Sequence, residues 1–124
     1  MKKVAEKAIG QRVGRAIAEK RKAQGITQET MAEKLGLGLE AISRMERGTI
    51  MPSIPRLVEV AEVLKCPVQE LLVVASDRAI DHSIQLTQQL GQIKPKDREL
   101  LLNILGQLTT RLKKGSLRLK THCV

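Results

Sequence analysis

The chain has no Phe, Tyr or Trp among its 124 residues, which removes every recognition mode that stacks bases, sugars or quaternary amines on rings. Single-strand platforms of the RRM and OB type and aromatic cages go with it. Cysteine is nearly as scarce: Cys66 and Cys123 supply neither a disulfide framework nor a zinc tetrad. The two histidines, His82 and His122, stand 40 positions apart, so no metal site and no cofactor is expected. No stretch approaches the roughly 18 apolar residues of a membrane span, and the basic start MKKVAEKAIGQRVGR lacks the apolar run of a signal peptide. The expectation is a soluble, cytoplasmic protein with no membrane partner.

What the chain does have is positive charge and aliphatic residues. Lys and Arg number 22 against 13 Asp and Glu, a formal net charge of +9. The excess is shared, with 13 basic against 9 acidic residues in 1–75 and 9 against 4 in 76–124. Such a balance suits a polyanionic partner. A hydrophobic content of 42% is enough for a core, and the length suits one small domain with an appendage.

Apolar residues recur at three and four from Ile9 to Leu112, without strand-type alternation, so the chain reads as all-α. A first helix over Ile9 to Ala23 puts Ile9, Val13, Ala16 and Ile17 on one face. Thr27 is expected to cap a second, Gln28 to Leu35, which buries Met31, Ala32 and Leu35 and stops at Gly36. A third, Leu39 to Arg47, is closed by Gly48. Ser53 then caps a fourth with Leu57, Val60, Ala61 and Leu64 as its buried stripe, and a fifth turn of helix runs from Pro67 to Leu72. After a break at Ala75–Ser76, helices over Asp77 to Leu90 and Lys96 to Lys114 make a helical hairpin, with Ile80, Ile84, Thr87 and Leu90 on one face of the first. The predicted organisation is a domain over 1–75 and an appendage over 76–124.

Two short helices joined by the tight Gly36, Leu37, Gly38 turn, inside a bundle of further short helices, form the pattern of a helix-turn-helix. Ala32 falls where the helices cross most closely, Gly36 where a positive φ is expected, and Ile42 and Met45 anchor the second helix. On the stretches ITQETMAEKLGLGLEAISRMERG and PSIPRLVEVAEVLKCPVQELL, residues 9–72 resemble the Cro/repressor type of helix-turn-helix, the XRE family of bacteria and phages. The resemblance implies a five-helix, lambda-repressor-like domain whose third helix enters the DNA major groove. It also implies a structural ion pair between Arg21 and Glu46. Gly38 and Leu39 depart from the polar residues common at the start of that helix.

At 100° per residue with Ile42 at 0°, Met45 and Glu46 lie within about 60° of the core direction, and Glu40, Arg44 and Arg47 fall opposite. Ala41 and Ser43 flank them, and this is the face expected to meet DNA. Gln28, at the start of the second helix, is expected near phosphate. Arg44 suits a bidentate contact to guanine, or an ion pair with Glu40 four residues earlier. Glu40 suits a hydrogen bond from cytosine, against which stands repulsion by phosphate. Leu39 meets a thymine methyl or completes the core. Arg47 and Ser53 contact phosphate, or serve as surface charge and helix cap.

The rest of the chain offers less chemistry. Cys66 is expected to be a buried thiol without a reaction and Cys123 a terminal one. The basic run Arg111, Lys113, Lys114, Arg118 and Lys120 meets either phosphate or the dipole at a helix C-terminus. Leu101, Leu105, Leu108 and Leu112 recur at four, three and four, a seam expected to join two copies as a homodimer. With no nucleophile beside a His and an acid, no phosphate-cradling Gly loop and no metal ligand pair, no enzyme is expected. Two functions fit. The first is a sequence-specific, double-stranded DNA-binding transcriptional regulator that occupies an operator. The second is an antitoxin-like protein that binds a partner toxin through residues 76–114 and autoregulates through the helix-turn-helix.

Overall fold

Side-chain size and helix-capping chemistry account for most of the architecture seen in a computed structural model, which describes residues 3–115. Seven helices follow one another there: α1 (Lys3–Ala23), α2 (Gln28–Leu35), α3 (Leu39–Arg47), α4 (Ile54–Leu64), α5 (Gln69–Leu72), α6 (Ala79–Gly91) and α7 (Pro95–Lys113). Among the described residues there is no strand. Arg118, Lys120, His122 and Cys123 lie outside the described residues.

α1 starts six residues before the expected Ile9. The apolar face begins at Ile9, but the preceding segment is rich in Ala, Glu and Lys, good helix formers with no breaker among them, and Glu6 sits favourably in the first turn. Thr27 Oγ1 accepts from Thr30 N at 3.1 Å and Ser53 Oγ accepts from Arg56 N at 3.3 Å, so each hydroxyl satisfies one otherwise unpaired N–H of its helix. α2 ends at Gly36 in the left-handed region, φ 66°, and the N–H of Leu37 returns to Ala32 O at 2.9 Å.

The chain divides into two compact units, Met1–His82 and Ser83–Val124, and the division falls inside α6, beyond the Ala75–Ser76 break predicted from sequence. The first unit holds the core: Val13 and Ile17 of α1, Met31 and Ala32 of α2, Ile42 and Met45 of α3, the α4 stripe Leu57, Val60, Ala61 and Leu64, and Leu71 of α5. Ile9 and Leu35 pack at its edge, half-buried. Cys66 is half-buried beside this cluster rather than inside it, and partial burial pushes its thiol pKa up.

Two glycines set how closely α1 and α3 approach. A Cβ on Gly14 would stand 2.4 Å from Met45 O and 2.6 Å from Glu46 O, and one on Gly48 would stand 2.6 Å from the Cα of Gln11. Backbone atoms cannot turn aside as side chains do, so the crossing exists only because both positions lack a side chain. Gly48 also closes α3 at φ 76°, which favours glycine there for a second reason.

In the second unit α6 and α7 are joined through Gln92–Lys94, and Pro95 opens α7, where its missing N–H has no intrahelical partner to lose. Arg98 Nε donates to Leu90 O at 2.6 Å and to Ile93 O at 3.1 Å, satisfying carbonyls at the end of α6. No described residue of α6 or α7 is buried.

Candidate nucleic-acid interface

Helical periodicity divides α3 into an inner and an outer face. Ile42 and Met45 are buried, at 0% and 5% exposure, whereas Glu40, Arg44 and Arg47 are exposed. Ala41 and Ser43 are half-buried on the flanks, and Leu39, at 47% exposure, opens the helix to solvent. The helix therefore offers one polar face carrying two guanidinium groups and one carboxylate.

Those three charged groups meet. Glu40 Oε1 accepts from Arg44 Nε at 3.2 Å and from Arg47 Nη2 at 3.5 Å, and Arg47 Nε donates to Ser43 O at 3.3 Å. All are solvent-exposed, so the pairs contribute little to stability, about 0–1 kcal/mol each. Their interest is geometric, because they decide which edges of the guanidinium groups remain outward. Ser53 stands apart at the N-cap of α4, where its oxygen accepts from Arg56 N and its hydroxyl hydrogen is left for another acceptor.

Behind this face lies a second polar cluster. Arg21 Nε donates to Glu46 Oε1 at 2.5 Å, Arg21 Nη2 to Glu46 Oε2 at 3.2 Å, and Arg21 Nη1 to Ile26 O at 2.8 Å. The two side chains retain only 10% and 6% of their exposure, and the forked geometry satisfies both carboxylate oxygens. Gln28 Nε2 donates to Glu46 Oε2 at 2.8 Å, so its amide is held by the same carboxylate that holds α1 to α3. That bond engages one of the two N–H groups of the amide. Sequence reasoning placed Gln28 at the helix start and missed Glu46 as its partner. Spacing within one helix cannot reveal a contact between residues 18 apart.

Further polar contacts tie the first unit together. Lys20 and Glu70 form an ion pair, and that hydrogen bond raises the lysine pKa. Arg12 Nη1 donates to Ala75 O at 3.3 Å, which holds the end of the α5 segment to α1. Beside Arg47 an open groove is lined by Gln11, Gly48, Thr49 and Met51 among others. Among the described residues no group of three or more His, Cys, Asp and Glu side chains comes together, and no helix is long and apolar enough to cross a membrane. The arrangement offers hydrogen-bond donors and charge on the exposed face of α3, which suits a polyanion.

Known proteins resemble the chain in sequence and in fold. A family model described as helix-turn-helix matches residues 17–71. The Cryptic phage CTXphi transcriptional repressor RstR of Vibrio cholerae is 31% identical over 83 residues, which covers 67% of this chain and 71% of that protein. The uncharacterized HTH-type transcriptional regulator YazB of Bacillus subtilis is 38% identical over 58 residues, 47% of this chain and 84% of the relative. Among solved structures, the clp gene regulator ClgR of Corynebacterium glutamicum aligns with a TM-score of 0.52 at 27% identity, over 54% of this chain and 87% of that one. These proteins are named as a transcriptional repressor, a transcriptional regulator and a gene regulator. With an all-helical core, a glycine-closed turn between α2 and α3 and an outward polar face on α3, this chain belongs to the XRE-type helix-turn-helix family of DNA-binding transcriptional regulators.

Proposed function

We propose that the protein is a sequence-specific regulator of bacterial or phage type, acting in the cytoplasm by seating α3 in the major groove of an operator. The observation that carries this reading is the exposed Glu40, Arg44 and Arg47 face directly opposite the buried Ile42 and Met45. Burial of one side orients the other, so a docked α3 presents Arg44 to base edges with Ala41, Ser43 and Leu39 beside it. Gln28 and Ser53 lie at helix starts, where phosphate is favoured, and Arg47 adds charge. Occupying the operator requires no catalysis.

A second copy completes the assembly in this reading. Leu101, Leu105 and Leu112 are exposed and Leu108 half-buried along α7, a seam that suits a two-fold homodimer. Such a dimer offers two recognition helices to half-sites about 34 Å apart. The relatives are named as a repressor and regulators, which favours this reading over the antitoxin-like one with a toxin on residues 76–114.

Selection from a pool of random duplexes, with sequencing of the retained DNA, tests the proposal. The expected product is a two-fold symmetric site on which Arg44→Ala costs about 1–3 kcal/mol, with a much smaller loss on unselected DNA. Arg47→Ala and Ser53→Ala are expected to weaken both alike. A pool that acquires no common sequence overturns the reading.

A further inference from the structure

We infer that Glu40 is a specificity-determining residue that acts through Arg44, as a buttress fixing which edge of the arginine meets DNA, rather than by touching a base itself. This rests on the reading of α3 as the recognition helix and adds a role that the exposure of its arginines does not supply. Three observations carry it. Glu40 lies in the first turn of α3, where the helix dipole favours a carboxylate, so its charge has a structural reason to be there. It engages Arg44 at Nε, at 3.2 Å, and not at the terminal nitrogens. The same oxygen also reaches Arg47 Nη2 at 3.5 Å, so one carboxylate restrains both guanidinium groups of the outer face.

The consequence follows from the shape of a guanidinium group. Held at Nε, Arg44 keeps its Nη1 and Nη2 pair as the end-on donors, and two parallel donors are what guanine O6 and N7 accept. An arginine side chain carries considerable rotamer entropy, part of which is already lost in the buttressed state. On unselected DNA Arg44 reaches for phosphate as Arg47 does on any duplex. With both guanidinium groups gone, the Glu40 carboxylate then stands unpaired beside a polyanion. On the preferred site Arg44 binds guanine while still donating to Glu40, so the carboxylate stays compensated. Glu40 thus penalises the non-specific complex more than the specific one, and it widens the gap between them although the pair itself adds little to folding.

The test uses the full chain and follows fluorescence anisotropy on the selected duplex and on a random duplex across a salt series, with Glu40→Gln, Glu40→Ala, Arg44→Ala and the Glu40→Ala/Arg44→Ala pair. Because Glu40 is exposed, all four are expected to retain the wild-type circular dichroism spectrum. Loss of the carboxylate charge is expected to tighten random-duplex binding ~3- to 10-fold and to steepen its salt slope by about 1. The selected duplex is expected to change less than about 1.5-fold, so the ratio of the two affinities falls about 2- to 10-fold. In the Arg44→Ala background, removal of Glu40 is expected to change both duplexes equally, whereas a direct base contact by Glu40 would keep the fall in the ratio, and a merely structural role would leave the ratio unchanged in the wild-type background as well. An unchanged ratio, or a fall that persists in full without Arg44, overturns the inference. So does a selection with Glu40→Ala that returns a site altered at a cytosine, since that outcome assigns Glu40 a direct base contact. If the wild-type chain itself binds both duplexes equally, it is the recognition reading of α3 that fails.

Discussion

Met1–His82 and Ser83–Val124 are both helical and both rich in leucine or isoleucine at helical spacing, yet they use those residues in opposite ways. In the first unit every long helix lays its apolar stripe against another, and Val13, Ile17, Met31, Ile42, Val60 and Leu64 are at most 1% exposed. In the second, α6 and α7 bury no described residue, and Ile84 and Leu100 are 57% and 59% exposed. Periodicity in a sequence specifies that a helix has an apolar face. It does not specify what covers that face. Among the described residues, the second unit has little burial to offset backbone entropy, whereas the first unit has a core of its own.

Removing the acceptor at the centre of the first unit is expected to give the largest effect. Glu46→Ala leaves the Arg21 guanidinium, in a side chain only 10% exposed, without its carboxylate, and Gln28 without its acceptor. The expected loss is about 3–5 kcal/mol, because a buried charge is stranded. Thermal melts followed by circular dichroism measure it, since the chain has no Trp, Tyr or Phe to report by fluorescence. A variant that melts with the wild type would make the first unit as loosely specified as the second.

A steric change comes next. Gly14→Ala introduces a Cβ 2.4 Å from Met45 O, and α1 must move off α3 to admit it. The expected cost is about 3 kcal/mol, the upper end for overpacking, because the opposing atoms are backbone. Gly10→Ala, whose Cβ would meet Gly48 O at 3.0 Å, is expected to cost less in the same melts.

These glycines mark where the sequence stopped being legible. The stripes of α2, α3 and α4 and the caps Thr27 and Ser53 could be read in advance, because each depends on neighbours three or four residues away. The outer face of α3 followed from the inner one. The start of α1 was placed too late, since an apolar pattern marks only where a helix meets its partners. Gly10 and Gly14 did leave a signal, two glycines four apart inside a helix, each costing about 1 kcal/mol relative to Ala unless close approach requires it. Gln28 with Glu46, Lys20 with Glu70 and Arg98 with Leu90 O left none, because they join separate elements.

If a second copy covers the α7 seam, Leu101→Lys with Leu105→Lys is expected to convert a dimer to a monomer at micromolar concentration in light scattering. The melting of the first unit should move by less than about 1 kcal/mol, as for surface substitutions. An unchanged mass assigns the exposed leucines to something other than self-association. A collapse of the first unit in the same variant would abolish the distinction between the two regions.

The smallest effect lies where the regions join. α6 starts at Ala79 rather than at Asp77 because Ser76 organises its entry: Arg78 N donates to Ser76 Oγ at 3.1 Å, and the Ser76 hydroxyl donates to Asp81 at 2.5 Å. Arg78 adds Nε and Nη2 donors to the same carboxylate at 2.8 and 3.1 Å. The Arg78 bonds first, and the Ser76 bond second, lower the Asp81 pKa from 3.8 to about 2. A folded-state value below the unfolded one means that the ionised form favours the folded entry. The contribution is complete above pH 3.8 and is lost as pH falls through about 2, leaving neutral conditions unaffected. An NMR titration of the Asp81 carboxyl carbon is expected to show its midpoint near 2, rising in Ser76→Ala and rising further in Arg78→Ala. The same titration in the Leu101→Lys/Leu105→Lys variant separates two origins for the order of α6. A midpoint that stays low shows that local bonds within the first unit fix the helix start, whereas one that returns to 3.8 shows that the start, too, waits for a partner.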